Sequence, residues 1–365
     1  MEHLAYEAQL AAKSEIVGNA LQRIGGIAVD SPHVEASPEE FRYRNRVSFA
    51  LRRLRNGGVA AGFHALHDPD RIVVVDRACL LPEQPIAEVW ERLRQNWGPD
   101  AELLPSGRNL RLTLRSTATG AVALLIEGGR SNGRLEELAA RTEGLNAIWH
   151  RPADADDTLH AAGAPGLPEE WGAERFSVAG SAFLQVNRRA AELLEEYVVD
   201  QSDVVPGQRV VDAYCGIGLH ARRLSASGAD VVGIELDPEA VRIAESLSSG
   251  GTTGPSEEIF EGSVSTASTS FDCGRVEDLI ANHLPADLVI LNPPRAGVAD
   301  GVIASLLERP PARIIYVSCD PATLARDLNA LSAEFALLSV RCFDLFPQTA
   351  HVETVVTLAW RARAG

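Results

Sequence analysis

The 365-residue sequence predicts an α/β protein: a doubly wound, mostly parallel sheet joined to a smaller, antiparallel β-rich domain of α+β type. Two observations carry that reading. After about residue 175, continuous apolar runs (QRVVDAYCGIG, ADVVGIELD, ADLVILNPPR, ARIIYVSCD) alternate with helical segments. Strands buried on both faces by crossover helices have this signature. From about 41 to 150, shorter alternating stretches (RVSFALRRL, RIVVVDRACLL, RNLRLTLRST, AVALLIEGG) are punctuated by Gly, Asp and Pro, as antiparallel strands are.

Residues 4 to 24 carry apolar positions at helical spacing and stop at Gly25-Gly26. A helix is expected over 84 to 96, and the Pro-, Ala-, Gly- and Asp-rich stretch 152 to 170 reads as a linker. In the second half, helices are expected over 219 to about 226 and 238 to 247. The Gly/Ser/Thr-rich segment 248 to 270 reads as a mobile surface insertion. The expected organisation is an N-terminal helix (1–30) packed on the larger domain, a β-rich domain (40–165) and an α/β domain (170–365).

No apolar run approaches membrane-spanning length and the N-terminus lacks a signal-peptide core, so a cytoplasmic location away from membranes is expected. Five scattered cysteines without a CxxC pair signal neither a disulfide framework nor a zinc site. The net charge of −16 opposes a nucleic-acid partner at first sight, but Lys13 is the only lysine and the arginines are unevenly spread. Six crowd into FRYRNRVSFALRRLR: Arg42, Arg44, Arg46, Arg52, Arg53 and Arg55. Interleaved with Phe41, Tyr43 and Phe49, they read either as a solvated strand edge or as a surface for phosphate contact and base stacking.

Four strand tips carry candidate chemistry. In VVDAYCGIG the chain turns after Asp212 through Gly216 and Gly218, where glycine lets backbone approach a ligand. Glu235 ends the next strand, placed to accept ribose hydroxyls. The loop lacks the third glycine of a dinucleotide fingerprint, which favours S-adenosylmethionine over NAD. Asn292-Pro293-Pro294 forms a rigid turn after a third strand. Asn-Pro-Pro also occurs in amino-nitrogen methyltransferases, which need no thiol. In RIIYVSCDPATLARDL a strand delivers Cys319 to a turn, where it is either a small buried residue or a nucleophile.

Together, FRYRNRVSFA, VAGSAFLQVN, VVDAYCGIG, GIELDPEAV, LNPPRAG, IIYVSCDPATLARDL and LFPQTAHVET resemble the RNA uracil-C5 methyltransferases that use S-adenosylmethionine. These stretches run from residue 41 to 354 in the family's order, and HLAYEAQLAAKSEIV resembles the ribosomal-RNA branch. The resemblance implies a Rossmann-like methyltransferase sheet, with Cys319 as nucleophile and Glu353 as base. With the strand-tip reading it places Gln185, Tyr214, Gly216, Glu235 and Asn292 at the cofactor, and the arginine stripe supplies Arg42, Arg44, Arg46 and Arg52 as the RNA-contact candidates. His351 reads as a supporting or structural histidine. The implied partner is RNA, ribosomal rather than transfer, bound by a monomer.

Such chemistry needs these residue types. A thiolate adding to C6 makes C5 of uracil nucleophilic enough to take a methyl group, and a base must then remove the C5 proton. The departures from the family are definite. The chain begins downstream of the small barrel and the three cysteines that this branch carries, leaving Cys79 at the fourth ligand position. One thiolate cannot hold a four-iron cluster, so none is expected. Asn292 stands where Asp is common, and Leu219 where an Asn often meets the cofactor. A transfer-RNA enzyme, an amino-nitrogen methyltransferase and a non-catalytic RNA-binding relative remain the alternatives.

Overall fold

The computed structural model describes every residue except Glu2, Asp156, Ala173, 180–183, 250–266 and 362–365. The chain divides into two compact units, Met1–Glu40 with Arg189–Gly365, and Phe41–Arg188.

The larger unit is built on an eight-stranded sheet. Its spatial order is Val34–Glu35, Phe335–Phe343, Glu353–Trp360, Arg313–Ser318, Leu288–Leu291, Arg209–Ala213, Asp230–Glu235, Thr269–Cys273. The five strands from Arg313–Ser318 to Thr269–Cys273 are mutually parallel. Glu353–Trp360 runs antiparallel to both of its neighbours. Starting from Arg209–Ala213, the chain adds strands first on one side and then on the other. The strand order therefore reverses beside Arg209–Ala213, and ligands bind outside the carboxyl ends of strands at such a reversal.

The apolar runs do what continuous hydrophobicity demands. Leu288–Leu291 and Ile314–Val317 are buried along their whole length. Val17 and Leu21 of the first helix, Tyr6–Arg23, share this core with Leu324, Ala325 and Leu328 of the helix Pro321–Leu331. Two crossover helices, Pro238–Ser248 and Pro321–Leu331, start the same way. Asp237 or Asp320 caps backbone amides with its side chain, and proline follows at the first helical position.

The smaller unit holds a seven-stranded sheet in the order Asp68–Val74, Val59–Ala65, Arg46–Arg53, Asn109–Ser116, Val122–Glu127, Leu145–Arg151, Leu159–Gly163. The sheet is antiparallel except where Val122–Glu127 pairs parallel with Leu145–Arg151, across the helix Leu135–Arg141. Its core packs against the helix Gln84–Asn96, with Phe49 stacked on Trp90 at a centroid distance of 3.9 Å.

Three sequence readings need correction. The stretch 152 to 170 is not a plain linker: Leu159–Gly163 closes the sheet edge and Leu167–Trp171 pairs with Glu174–Val178. Tyr43 and Phe49 are each 1% exposed, so they pack the interior and cannot stack on bases. Most of the expected 248–270 insertion lies outside the described residues, and its last two, Thr269 and Ser270, begin the sheet's edge strand. Among the described residues no helix is long and apolar enough to cross a membrane.

Candidate active site

Cys319 follows the last residue of the central strand Arg313–Ser318. The turn is held by Ser318, whose hydroxyl donates to the Asp320 carbonyl (3.0 Å) and accepts from the Asp320 amide (3.2 Å). Asp320 then caps the next helix, taking the amides of Ala322 (2.9 Å) and Thr323 (3.0 Å). Both ends of the turn are therefore tied, and the half-buried thiol is presented at the sheet's edge.

Glu353 opens the neighbouring antiparallel strand, whose register sets Ser318 opposite Thr354. That register brings the positions of Cys319 and Glu353 to the same edge, one step beyond the pair. Glu353 is 4% exposed, and burial pushes its carboxyl up to about 7, with the Arg295 charge acting against the rise. Burial also raises the Cys319 thiol, and the Glu353 charge raises it further. The Arg295 guanidinium opposes both by its charge and by a hydrogen bond.

Arg295 is the functional candidate that sequence reasoning missed. It sits in the Pro293-Pro294-Arg295 turn, and that turn is bound to the helix behind Cys319. Thr323 donates its hydroxyl to the Arg295 carbonyl (3.2 Å) and Arg326 donates to the Ala296 carbonyl (3.0 Å). Asp327, 3% exposed, accepts from the Val298 amide (3.0 Å) and the Tyr316 hydroxyl (2.7 Å). Gly297 has φ +78°, and a Cβ there would stand 2.5 Å from the Asp327 carboxylate. Its lack of a side chain lets turn and helix close on each other.

Along the same edge lie Asp212, Tyr214, Gly216, Glu235 and Asn292. Tyr214 takes a left-handed φ of +63°, and burial raises its phenol to about 12. Gly216 has φ +57°, and a Cβ placed there would meet nothing within 4 Å, so the backbone faces open space. Glu235 is fixed by three amides: Leu236 (2.8 Å) and Asp237 (2.9 Å) on Oε1, and Gly216 (3.0 Å) on Oε2. Burial pushes the Asp212 carboxyl up to about 7, with the Glu235 charge adding to the rise and the Ala221 amide opposing it. Neither carboxylate takes a hydrogen bond from another side chain among the described residues. Asp212 is wholly enclosed, whereas Glu235, half-buried beside the open backbone of Gly216, suits a ligand that brings its own hydroxyl donor. The Asn292 amide anchors its strand end to the Ala213 carbonyl at 3.2 Å.

The remaining candidates belong to the smaller unit. The Gln185 carbonyl accepts from Asn45 Nδ2 at 2.9 Å. Arg42 donates to the carbonyls of Arg77 (3.1 Å) and Pro82 (3.5 Å). Arg52 is engaged by Asn109 and Asp70. Arg44 lies over the Tyr43 ring, 5.7 Å from its centroid. Burial lowers the Arg46 guanidinium from its ordinary value, and neighbouring Arg111 lowers it further. Cys79 packs against the unit's apolar core. Among the described residues no group of three or more His, Cys, Asp or Glu is placed to hold a metal ion.

The family model described as tRNA (Uracil-5-)-methyltransferase matches residues 173–361. An uncharacterized RNA methyltransferase of Thermosynechococcus vestitus is 32% identical, with 98% of this chain and 80% of that protein covered. Another, from Gloeobacter violaceus, is 33% identical over 97% of this chain and 78% of its own length. Among solved structures, the Pyrococcus abyssi tRNA (uracil-54, C5)-methyltransferase in complex with S-adenosyl-L-homocysteine shares the fold. Its TM-score is 0.74 at 24% identity, covering 98% of this chain and 84% of that one.

Proposed function

The chain belongs to the tRNA (uracil-5-)-methyltransferase family, and from that premise we propose that it methylates C5 of a uridine in RNA, with Cys319 as nucleophile and Glu353 as base. The observation that carries the proposal is the placement of these two residues. They end adjacent strands at the ligand edge of the sheet, with Arg295 acting on both.

S-adenosylmethionine supplies the methyl group when bound, and the residues along the edge fit it. Glu235 would accept one of its hydroxyl donors, Tyr214 would lie against it, and the turn at Gly216 leaves it room. Asn292 would face it from the third strand tip. The amides already held by Glu235 occupy three of its four lone-pair sites and leave one, on Oε2, for a ligand hydroxyl.

Cys319 acts as the thiolate, which the Arg295 cation favours against burial and the Glu353 charge. Its sulfur bonds to C6 of the uracil, and the electron pair released toward C5 takes the methyl group, whose bond to the donor's sulfonium would break to leave a neutral thioether. Glu353 then removes the C5 proton, the C6–sulfur bond breaks, and the ring recovers its unsaturation as the thiolate departs. A carboxyl near 7 is matched to that task at neutral pH.

We put ribosomal RNA forward as the substrate, on the likeness of HLAYEAQLAAKSEIV to that branch, with transfer RNA as the competitor. The test uses both RNAs transcribed with uridine tritiated at C5. Methylation at C5 releases one tritium to water per methyl incorporated. Methyl incorporation without tritium release, as an amino-nitrogen methyltransferase would give, overturns the proposal. The RNA that releases tritium identifies the substrate class.

A further inference from the structure

The smaller unit carries a basic hollow of about 470 Å³, lined by Arg53, Arg55, Ser106, Gly107, Arg108 and Arg130 together with Leu54. No carboxylate lines it. Arg53 is engaged inward, donating to the carbonyls of Asp100 (2.8 Å), Ala101 (2.8 Å), Leu104 (3.4 Å) and Gly107, and so braces the loops around the hollow. Arg55, Arg108 and Arg130 are exposed, and their guanidiniums have no acceptor among the described residues.

Elsewhere on the same unit, Arg111 and Arg151 pair with Glu127, Arg134 with Glu102, and Arg141 with Glu137. In a protein of net charge −16, three neighbouring cations without a counter-charge are a local reversal of the field. Leu54, 45% exposed, adds an apolar patch at the rim, suited to the face of a ribose or base.

We infer that this hollow, at the far end of the strand Arg46–Arg53, is the phosphodiester-binding surface of the smaller unit, with Arg55, Arg108 and Arg130 contacting RNA phosphates. The stripe at Arg42 to Arg52 is the weaker site. Its Arg42 and Arg52 already have protein partners, and Tyr43 and Phe49 are interior. Three guanidinium forks lining one hollow suit a chain of phosphates better than a single carboxylate. The inference rests on the RNA reading above and adds where the backbone is held.

The test measures binding of a 30-nucleotide polyuridylate by fluorescence anisotropy between 50 and 300 mM salt. Compared are wild type, the Arg55→Gln/Arg108→Gln/Arg130→Gln variant, each single variant, and Arg141→Gln as an ion-paired control. Each phosphate contact on a single strand adds roughly 0.7 to the log–log salt slope. The triple variant should therefore lose about 2 from the slope and bind at least about tenfold more weakly at 100 mM salt. Each single variant should lose about 0.7, and Arg141→Gln should match wild type. If the triple variant fails to fold, the single variants decide by the same criterion. Wild-type slopes in the arginine variants overturn the inference. Tritium release is read in parallel. Release with an unchanged slope sinks the binding surface alone, and a reduced slope without release sinks the uridine chemistry alone.

Discussion

Lys13 is fully buried and forms an ion pair with Asp344, also fully buried. Its ammonium also donates to the Phe346 carbonyl at 3.1 Å. The pair ties the first helix to the connection leading into the strand that Glu353 opens, and Gln9 and Gln348 reinforce it with mutual hydrogen bonds of 2.9 and 3.0 Å. Replacing Lys13→Met keeps the length of the side chain and removes the cation. Asp344 would keep the Tyr6 hydroxyl (3.0 Å) and the Phe346 amide (3.1 Å) as donors, but its charge would stand uncompensated. Breaking one side of a buried pair costs about 3–5 kcal/mol. For a unit of this size that corresponds to a fall in Tm on the order of 10 °C. Adding Asp344→Asn removes the orphaned charge, keeps an acceptor on Oδ1 for the Phe346 amide and turns Nδ2 into a donor toward the Tyr6 hydroxyl oxygen, so the double variant should recover most of the loss. Thermal unfolding followed by near-ultraviolet circular dichroism at pH 7.5 makes the comparison. A fall below about 2 °C in Lys13→Met, or no recovery in the double variant, would show that the pair does not hold the connection.

Ionising Glu353 in the folded state is costly, because its carboxyl sits near 7 instead of 4.5. The native protein should therefore lose up to about 3 kcal/mol between pH 4 and pH 8, a loss absent from Glu353→Gln; urea unfolding of both at the two pH values reads the difference, and a pH-independent gap would refute the assignment. Tritium release should rise with pH through about 7 as the base ionises. Arg295→Ala should move the pH of half-maximal iodoacetamide labelling of Cys319 upward, with Arg295→Lys in between; labelling profiles that coincide would remove Arg295 from the site. In Gly233→Ala, the new Cβ would stand 2.5 Å from the Phe271 ring and 2.8 Å from the Cys215 sulfur, so the substitution should cost about 1–3 kcal/mol in urea unfolding.

The parallel sheet was legible because strands buried on both faces have to be apolar throughout, as Leu288–Leu291 is. The helix start at Pro238 was legible, since an aspartate followed by proline is local capping chemistry. Leu159–Gly163 was not legible: its composition says loop, and only pairing with Leu145–Arg151, distant in the unfolded chain, makes it a strand. Base stacking by Phe49 was misread although the alternation of its strand was in plain view. Val47, Phe49 and Leu51 face inward while Arg46, Ser48 and Ala50 face out, so the aromatic residue and the arginine cannot share a surface. Cys319 and Glu353 are proposed through family motifs, whereas Arg295 depends on a turn that Asp327 and Thr323 pin from another element. No local pattern carries that information.

The most direct test of the chemistry uses RNA containing 5-fluorouridine, incubated with the protein and S-adenosylmethionine. Fluorine at C5 cannot leave as a proton, so the methylated uracil should stay bonded through C6 to the enzyme. The account predicts a denaturation-resistant complex whose peptide mass spectrum places the methylated fluorouridine on Cys319, and no such complex with Cys319→Ala. A complex mapped to Cys215, Cys273 or another residue, or methyl transfer retained by Cys319→Ala, would contradict it.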